Sequence, residues 1–338
     1  YQFNVGKITT LDVVVFLADN SRGGDDESID SGSKNDRSSV KIKEKVDSGF
    51  ENGQSMEKKN LSNLSDEKAG TNSKNKTSRK KAKAKIKLDR DISILAFGDI
   101  MLGRYVRVLM DENGPDYIFK KLQGSEDMPF KGADVVFGNL EGPIHGEGRK
   151  GGTSMVFSFN EDVAQLLKDF GFTLLSISNN HALDQGWDGR DTTIKALEKS
   201  GLGWCGHPKD ADAASVYYNQ IAEERYAFVC FQDITHKLDD AAAVELIRSV
   251  RSKVDYVIVS VHCGVEYKNK PDSGLQIEPA HAFIDAGAYF IIGHHPHVVQ
   301  SFEVYNGRII FYSLGNFVFD QYWSKGTEEE LAIGIVLD

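Results

Sequence analysis

The 338-residue sequence predicts an α/β domain over residues 92–338, and three observations point to it. Short apolar runs rich in β-branched residues alternate there with helix-period segments. The runs end in acids, amides and imidazoles rather than in plain turn residues. The stretch before them, residues 19–91, has neither pattern.

Taken in order, "ISILAFG" from Ile92 and "DVVFG" from Asp134 read as buried strands. "EDVAQLLKDF" then places Val163, Leu166, Leu167 and Phe170 on one helical face. "TLLSIS" from Thr173 is a strand, and a helix starts near Gly186. "AFVCF" from Ala227 is followed by "DDAAAVELIRSVRSKV", whose leading acids suit a helix N-terminus. "DYVIVSV" from Asp255 precedes "EPAHAFIDAG", with Pro279 in the first turn and Gly287 at the stop. "YFIIG" from Tyr289, "RIIFYS" from Arg308 and "LAIGIVL" from Leu331 complete the strands.

Ahead of this domain, residues 1–18 form an apolar N-terminal remnant: a fragment of a signal or anchor, or simply a strand, since "LDVVVFLA" at Leu11–Ala18 is far short of the ~20 residues that span a bilayer. Residues 19–91 have Phe50 as their only aromatic and read as a disordered polar linker ending in the basic "SRKKAKAKIK". That end is a solvated tether or a contact for an anionic membrane or wall polymer. Residues 1–91 hold 19 basic and 15 acidic side chains, leaving 21 and 35 in the rest. An acidic body excludes broad nucleic-acid binding and requires a local positive charge, such as a metal, to attract an anionic substrate. Cys205, Cys230 and Cys263 have no paired spacing, so neither a disulfide framework nor a thiolate zinc site is expected, and the compartment stays open.

Ligands of open α/β sheets bind beyond the carboxyl ends of the strands. Five predicted strands end in donor residues: Asp99; Asn139 and Glu141; Asn179, Asn180 and His181; His262, with Glu266 four residues on; and His294, His295 and His297. Singly, each has a plain structural role available. An Asp or Asn serves as a turn residue, and a lone His is most often a satisfied structural side chain. Their shared position at one end of five strands favours one metal site. Imidazole with carboxylate and amide oxygen, and no thiolate, suits one or two divalent ions of Mn, Fe or Zn type. A pair of such ions serves hydrolytic phosphoryl transfer.

The motifs "GDIMLGR", "NLEGPI", "SNNHALDQG", "VSVHCGVEY", "GHHPHVVQ" and "FYSLGNFVFD", in this order, resemble the poly-gamma-glutamate capsule biosynthesis family, the CapA-like proteins, a branch of the calcineurin-like metallophosphoesterases. The resemblance implies a four-layer α-β-β-α sandwich of metallophosphoesterase type. It implies metal ligands at Asp99, Glu141 (as the bridging acid), Asn180, His262 and two of His294, His295 and His297, with the His295–His297 pair keeping the family's spacing. His181 and Asp184 take catalytic roles, Asp184 orienting His181 or capping the helix near Gly186, while Asn139, Glu266 and Asn316 support the ligands. For Gly315 and Asn316 a tight turn competes with that support, and Phe317 and Phe319 read as core. The family's His two residues after the first Asp is absent here, where Ile100 and Met101 follow Asp99. The implied function is a metal-dependent phosphoesterase-like step in making an anionic cell-surface polymer; the alternative is an accessory protein that binds and helps assemble or export it. Implied partners are that polymer or a phosphoester, and a membrane or polymer-synthase complex; the implied location is extracytoplasmic and membrane-tethered, the alternative being a cytosolic domain with a disordered N-terminal extension.

Overall fold

The computed structural model describes residues 2–5, 8–12, 14–19, 91–120, 132–146 and 155–337. The linker expected over 19–91 and the basic run at its end therefore fall almost wholly outside the described residues. The apolar stretch near the N-terminus supplies strands: β1 (Gln2–Val5) pairs antiparallel with β2 (Ile8–Asp12), and β3 (Val14–Asp19) joins the edge of a larger sheet. No helix among the described residues is long and apolar enough to cross a membrane.

Every predicted strand from Ile92 on is present. The strands of this region, in chain order, are β4 (Ile92–Ile100), β5 (Val135–Leu140), β6 (Leu174–Ser176), β7 (Gly203–Cys205), β8 (Val216–Ile221), β9 (Glu224–Gln232), β10 (Tyr256–His262), β11 (Phe290–His294), β12 (Phe302–Tyr305), β13 (Arg308–Phe311), β14 (Asn316–Val318) and β15 (Glu329–Leu337). The helices are α1 (Arg104–Asn113), α2 (Val163–Phe170), α3 (Gly186–Lys199), α4 (Asp240–Arg251), α5 (Glu278–Asp285) and the short α6 (Lys325–Glu328). Four strands, β7, β8, β12 and β14, were not expected. The first and last of these are three residues long, too short for an alternating pattern to register.

One sheet runs β3-β15-β4-β5-β6-β7, with β14 also on β4; the other runs β12-β13-β11-β10-β9-β8. The core strands β4 to β7 are mutually parallel, as are β9, β10, β11 and β13. Alternate side chains from the two sheets meet in one apolar layer, including Ile94, Phe137, Leu174, Phe228, Ile258, Phe290, Ile333 and Ile335. On the outer face of the first sheet α1, α2 and α3 pack around Leu95, Phe97, Val136 and Leu175. On the outer face of the second, α4 and α5 cover Val229, Val259 and Ile291. The result is the four-layer α-β-β-α sandwich, with one core between the sheets and one under each helix layer.

Strand parity decides what reaches the rim of the central layer. Phe290, Ile292 and then His294 point inward from β11, Ile258, Ser260 and then His262 from β10, and Val135, Phe137 and then Asn139 from β5. Strand β4 needs a correction to do the same. Ile94 and Ala96 face inward, so unbroken alternation would send Asp99 to the helix side. The register against β5 slips between Ala96 and Asp99, and this bulge turns Asp99 inward and Ile100 out into the helix-side core. Gly98 allows it, because a Cβ there would sit 2.0 Å from the Gly315 carbonyl oxygen.

Candidate metal centre

The carboxyl ends of β4, β5, β10 and β11 and the loop after β6 converge on a cluster in which Asp99, Asn139, Glu141, Asn179, His181, His262, His294, His295 and His297 are all buried. Two sets of donor atoms lie within 4.8 Å of one another: Asp99, Glu141 and His262, and Glu266, His295 and His297. His297 joins the sets, with Nδ1 3.4 Å from Asp99 Oδ2 and Nε2 3.6 Å from Glu141 Oε1. His294 Nδ1 lies 3.3 Å from Asp99 Oδ1. The chain leaves β11 by left-handed backbone at His295 (φ 98°) and His297 (φ 57°), which turns all three imidazoles toward one centre. Side chains rarely hold such angles without being forced to, and forced backbone collects at functional sites.

Amides hold the imidazoles in place. Asn139 Nδ2 donates to Asp99 Oδ1 (2.9 Å) and lies 3.2 Å from His262 Nδ1, while the other ring nitrogen, Nε2, is 2.7 Å from Asn180 Oδ1. Asn179 Nδ2 donates to Asn139 Oδ1 (3.2 Å) and to the Leu140 carbonyl (2.8 Å). His297 Nδ1 donates to Asn316 Oδ1 (3.0 Å), so its Nε2 faces Glu141. His295 Nδ1 sits 3.2 Å from His262 Nε2. His181 donates from Nδ1 to Asp184 Oδ2 (2.8 Å), lies flat on Phe157 with ring centres 4.0 Å apart, and points Nε2 at Glu141 Oε1 from 3.9 Å.

Several expectations are revised by this geometry. Asp184 does not cap α3: Gln185 occupies the cap position without a side-chain bond, and Asp184 also accepts from the Phe157 amide (2.5 Å). Asn316 combines both of its readings, following the positive-φ Gly315 and opening β14 in register with Asp99 while bonding His297. Glu266 stands among the donors rather than behind them. Ile100 and Met101, in place of the absent His, pack into the helix-side core and bring no donor. Cys205 and Cys230 form a disulfide between the two sheets, with Cα atoms 5.5 Å apart. Their 25-residue separation gave no sign of it, because the pairing is made only when the sheets stack.

The electrostatics mark this as an incomplete polar site. Burial raises Asp99, but hydrogen bonds to His294 and His297 and the surrounding imidazole charge outweigh it and hold the carboxyl well below its usual range. Burial pushes Glu141 well above its usual range. His262 is held well below its ordinary value by burial and by His295, and His295 falls to about 3 by burial and His297. His297 rises to about 9, because Glu141 and Asp99 overcome the burial that opposes its charge. Both carboxylate oxygens of Glu141 are buried without a hydrogen bond, and so is Nε2 of His294, whose Nδ1 faces Asp99. Such orphaned groups cost about 1–3 kcal/mol each unless something else satisfies them. A divalent cation fits this set: two acids, several imidazoles and an amide oxygen with no thiolate are borderline donors for a transition ion.

Arg104 and Asp320 escaped the sequence reading. Arg104 is buried beside the cluster and paired with Asp320 through Nε and Nη2. It follows Asp99 by five residues and closes the motif "GDIMLGR", where an arginine carries no signal by itself.

The profile of the bacterial capsule synthesis protein PGA_cap matches residues 93–321. The chain is 35% identical to the capsule biosynthesis protein CapA of Bacillus anthracis, over 74% of this chain and 65% of that protein. It is 34% identical to the PGA biosynthesis protein CapA of Bacillus subtilis, over 74% of this chain and 69% of that protein. The match thus spans about two thirds of each relative's length. Among solved structures, a phosphatase from Mycoplasma pneumoniae superposes over 67% of this chain and 72% of its own, with 17% identity and a TM-score of 0.41.

Proposed function

The chain belongs to the bacterial capsule synthesis protein family, and from that premise we propose that it serves the making of an anionic cell-surface polymer, of the poly-γ-glutamate kind named for its relatives, through a metal-dependent phosphoester hydrolysis. The observation that carries the reading is the set of buried atoms without a hydrogen bond, both Glu141 oxygens and His294 Nε2, inside a ring of acids and imidazoles. Asp99, Glu141, Asn180, His262, His297 and one or both of His294 and His295 would hold one or two divalent ions, with Glu266 at the outer side. Bound there, a Mn, Fe or Zn ion supplies Lewis acidity to a phosphoryl oxygen and acidifies water.

The residues divide the remaining work. Asp184 fixes the ring of His181, so that Nε2 faces the cluster and is placed to give a proton to the leaving oxygen. Asn139 and Asn316 hold His262 and His297 by hydrogen bonds. Phe157 and Phe319 wall the site, lying against His181 and His297 and lowering water access. A location outside the cytoplasm, with the domain tethered at a membrane beside the polymer synthase, is supported by the Cys205–Cys230 disulfide, since such bonds persist in oxidising compartments.

One observation favours a second reading, an accessory protein that binds polymer without turnover: Ile100 and Met101 remove a donor that the wider superfamily has after its first Asp. The two readings separate on a single assay. The purified domain loaded with Mn and given a generic phosphodiester should turn it over, with loss of about 10²–10⁴ in rate in His181→Ala. No turnover dependent on metal and on His181 leaves the accessory role.

A further inference from the structure

Six non-glycine residues among those described have left-handed backbone, and they fall into two groups. Ala222 and Asn306 sit at hairpin tips between β8 and β9 and between β12 and β13, where such angles are ordinary. The other four are His295, His297, Arg104 (φ 47°) and Tyr267 (φ 62°), and all four surround the candidate centre. Tyr267 lies in the hydrogen-bonded turn from Val265 to Lys268, whereas Arg104 opens α1 and has no turn to explain its angle. Both side chains stand beside the cluster, Tyr267 against the His297 ring and Arg104 over Phe157 and Phe319.

Arg104 is held on one edge only. Nε donates to Asp320 Oδ2 at 3.1 Å, Nη2 donates to Asp320 Oδ1, and the same carboxylate takes the Tyr105 amide at 3.0 Å. Asp320 thereby accepts through both oxygens and fixes the guanidinium from one side. The plane lies over Phe157, 5.2 Å from the ring centre, and near Phe319 at 5.7 Å. Phe157 carries His181 and Phe319 carries His297 at 4.9 Å, so Arg104 stands one ring away from both. Among the described residues the remaining edge, at Nη1, meets the thioether sulfur of Met155 at 3.7 Å, a weak acceptor on a half-exposed side chain. Tyr267 stands at the mouth, its hydroxyl accepting from Gln321 Nε2 at 3.3 Å and its ring 6.0 Å from that of His297. Gln321 Oε1 accepts in turn from Asn316, which holds His297.

We propose that Arg104 is the substrate-recognition residue of this site: with one edge fixed by Asp320, it offers Nη1 to a second oxyanion, carboxylate or phosphate, on a substrate whose reacting phosphoester lies among the histidines. This rests on the phosphoester reading above. A purely structural pair would need only the edge that Asp320 already takes. An arginine locked in this way binds a planar or tetrahedral oxyanion with little loss of freedom, in a region otherwise crowded with acids. The substrate class that follows is an anionic phosphoester carrying a further carboxylate or phosphate, such as one attached to a γ-linked glutamate chain.

The test is a binding measurement, so that it stands apart from turnover. Inorganic phosphate and a short γ-glutamyl oligopeptide are titrated calorimetrically into wild type, into Arg104→Lys, and into the double variant Arg104→Met with Asp320→Asn, each with Mn and again in chelator. Arg104→Lys keeps the charge and the partner but offers no second edge; the double variant leaves no unpaired buried carboxylate. Metal content measured alongside reports separately on the metal centre. Expected is about tenfold or greater weakening of at least one ligand in both variants, with wild-type metal content, and the ligand with the larger loss identifies the group recognised. Affinities within twofold of wild type for both ligands in Arg104→Lys, or no binding of either by wild type, would overturn the assignment.

Discussion

Replacing Glu141 by leucine should make the metal-free protein more stable and the metal-loaded protein less so. In the cluster both Glu141 oxygens are fully buried without a hydrogen bond, and burial pushes the carboxyl well above its usual range. Removing an unsatisfied buried polar group by an apolar one of similar size recovers about 1–3 kcal/mol. For a domain of roughly 150–250 residues each kcal/mol moves Tm by about 2–4 °C, so the rise in chelator is on the order of 5 °C. Wild type given Mn at about a hundred times its Kd gains about 2.7 kcal/mol, a shift on the order of 8 °C. The variant should lose that shift, because the carboxylate between His297 and His181 is gone. Differential scanning calorimetry of both proteins, with Mn and with chelator, reads the crossing directly. A Glu141→Leu protein that melts below wild type in chelator, or that keeps the Mn shift, would refute the view that this carboxylate is held ready for a cation.

Other outcomes follow from the same geometry. His297→Ala, in contact with both Asp99 and Glu141, should reduce metal affinity by at least about a hundredfold with an unchanged near-ultraviolet circular dichroism spectrum; elemental analysis after dialysis checks it. Gly98→Ala sets a Cβ 2.0 Å from the Gly315 carbonyl oxygen, backbone that cannot step aside, and should lower the urea midpoint by an amount equivalent to about 1–3 kcal/mol. Glu330 is buried with one oxygen unpaired, and burial pushes its carboxyl well above the usual 4.5 against the pull of the Gly98 amide. The folded state therefore keeps a proton that the unfolded chain releases. The stability it contributes is full below 4.5 and is lost as pH rises toward the raised folded value. Glu330→Gln should match wild type in acid and melt higher than it at neutral pH; a Tm difference that does not change with pH would contradict this.

Much of the architecture was legible because it rests on local patterns. Runs such as "DYVIVSV" are apolar on both faces, as strands covered by a helix layer on one side and a second sheet on the other must be. The helix at Val163–Phe170 shows its period in four residues and ends at Gly171 in left-handed backbone. The short β14 was legible only as a turn, because its pairing with Asp99 depends on a strand more than 200 positions earlier. Helix α1 was missed for a related reason: its N-terminus is tied by Asp320, far along the chain, and the helix has no side-chain cap of its own.

By itself, the sequence determined that donors gather at the ends of five strands, since a strand's carboxyl end is a local property and the rule linking it to ligands needs no coordinates. Tertiary structure alone decided which of those donors share one space. Side chains alternate along a strand, so a slip of one residue sends a side chain to the opposite face. The bulge before Asp99 is such a slip, set by contact with β5 and by the approach of Gly315 to Gly98. The same holds for the Cys205–Cys230 bond, for His294 meeting Asp99, and for Arg104 held by Asp320. Each joins positions from separate strands or loops, and their distance is fixed only when the two sheets pack.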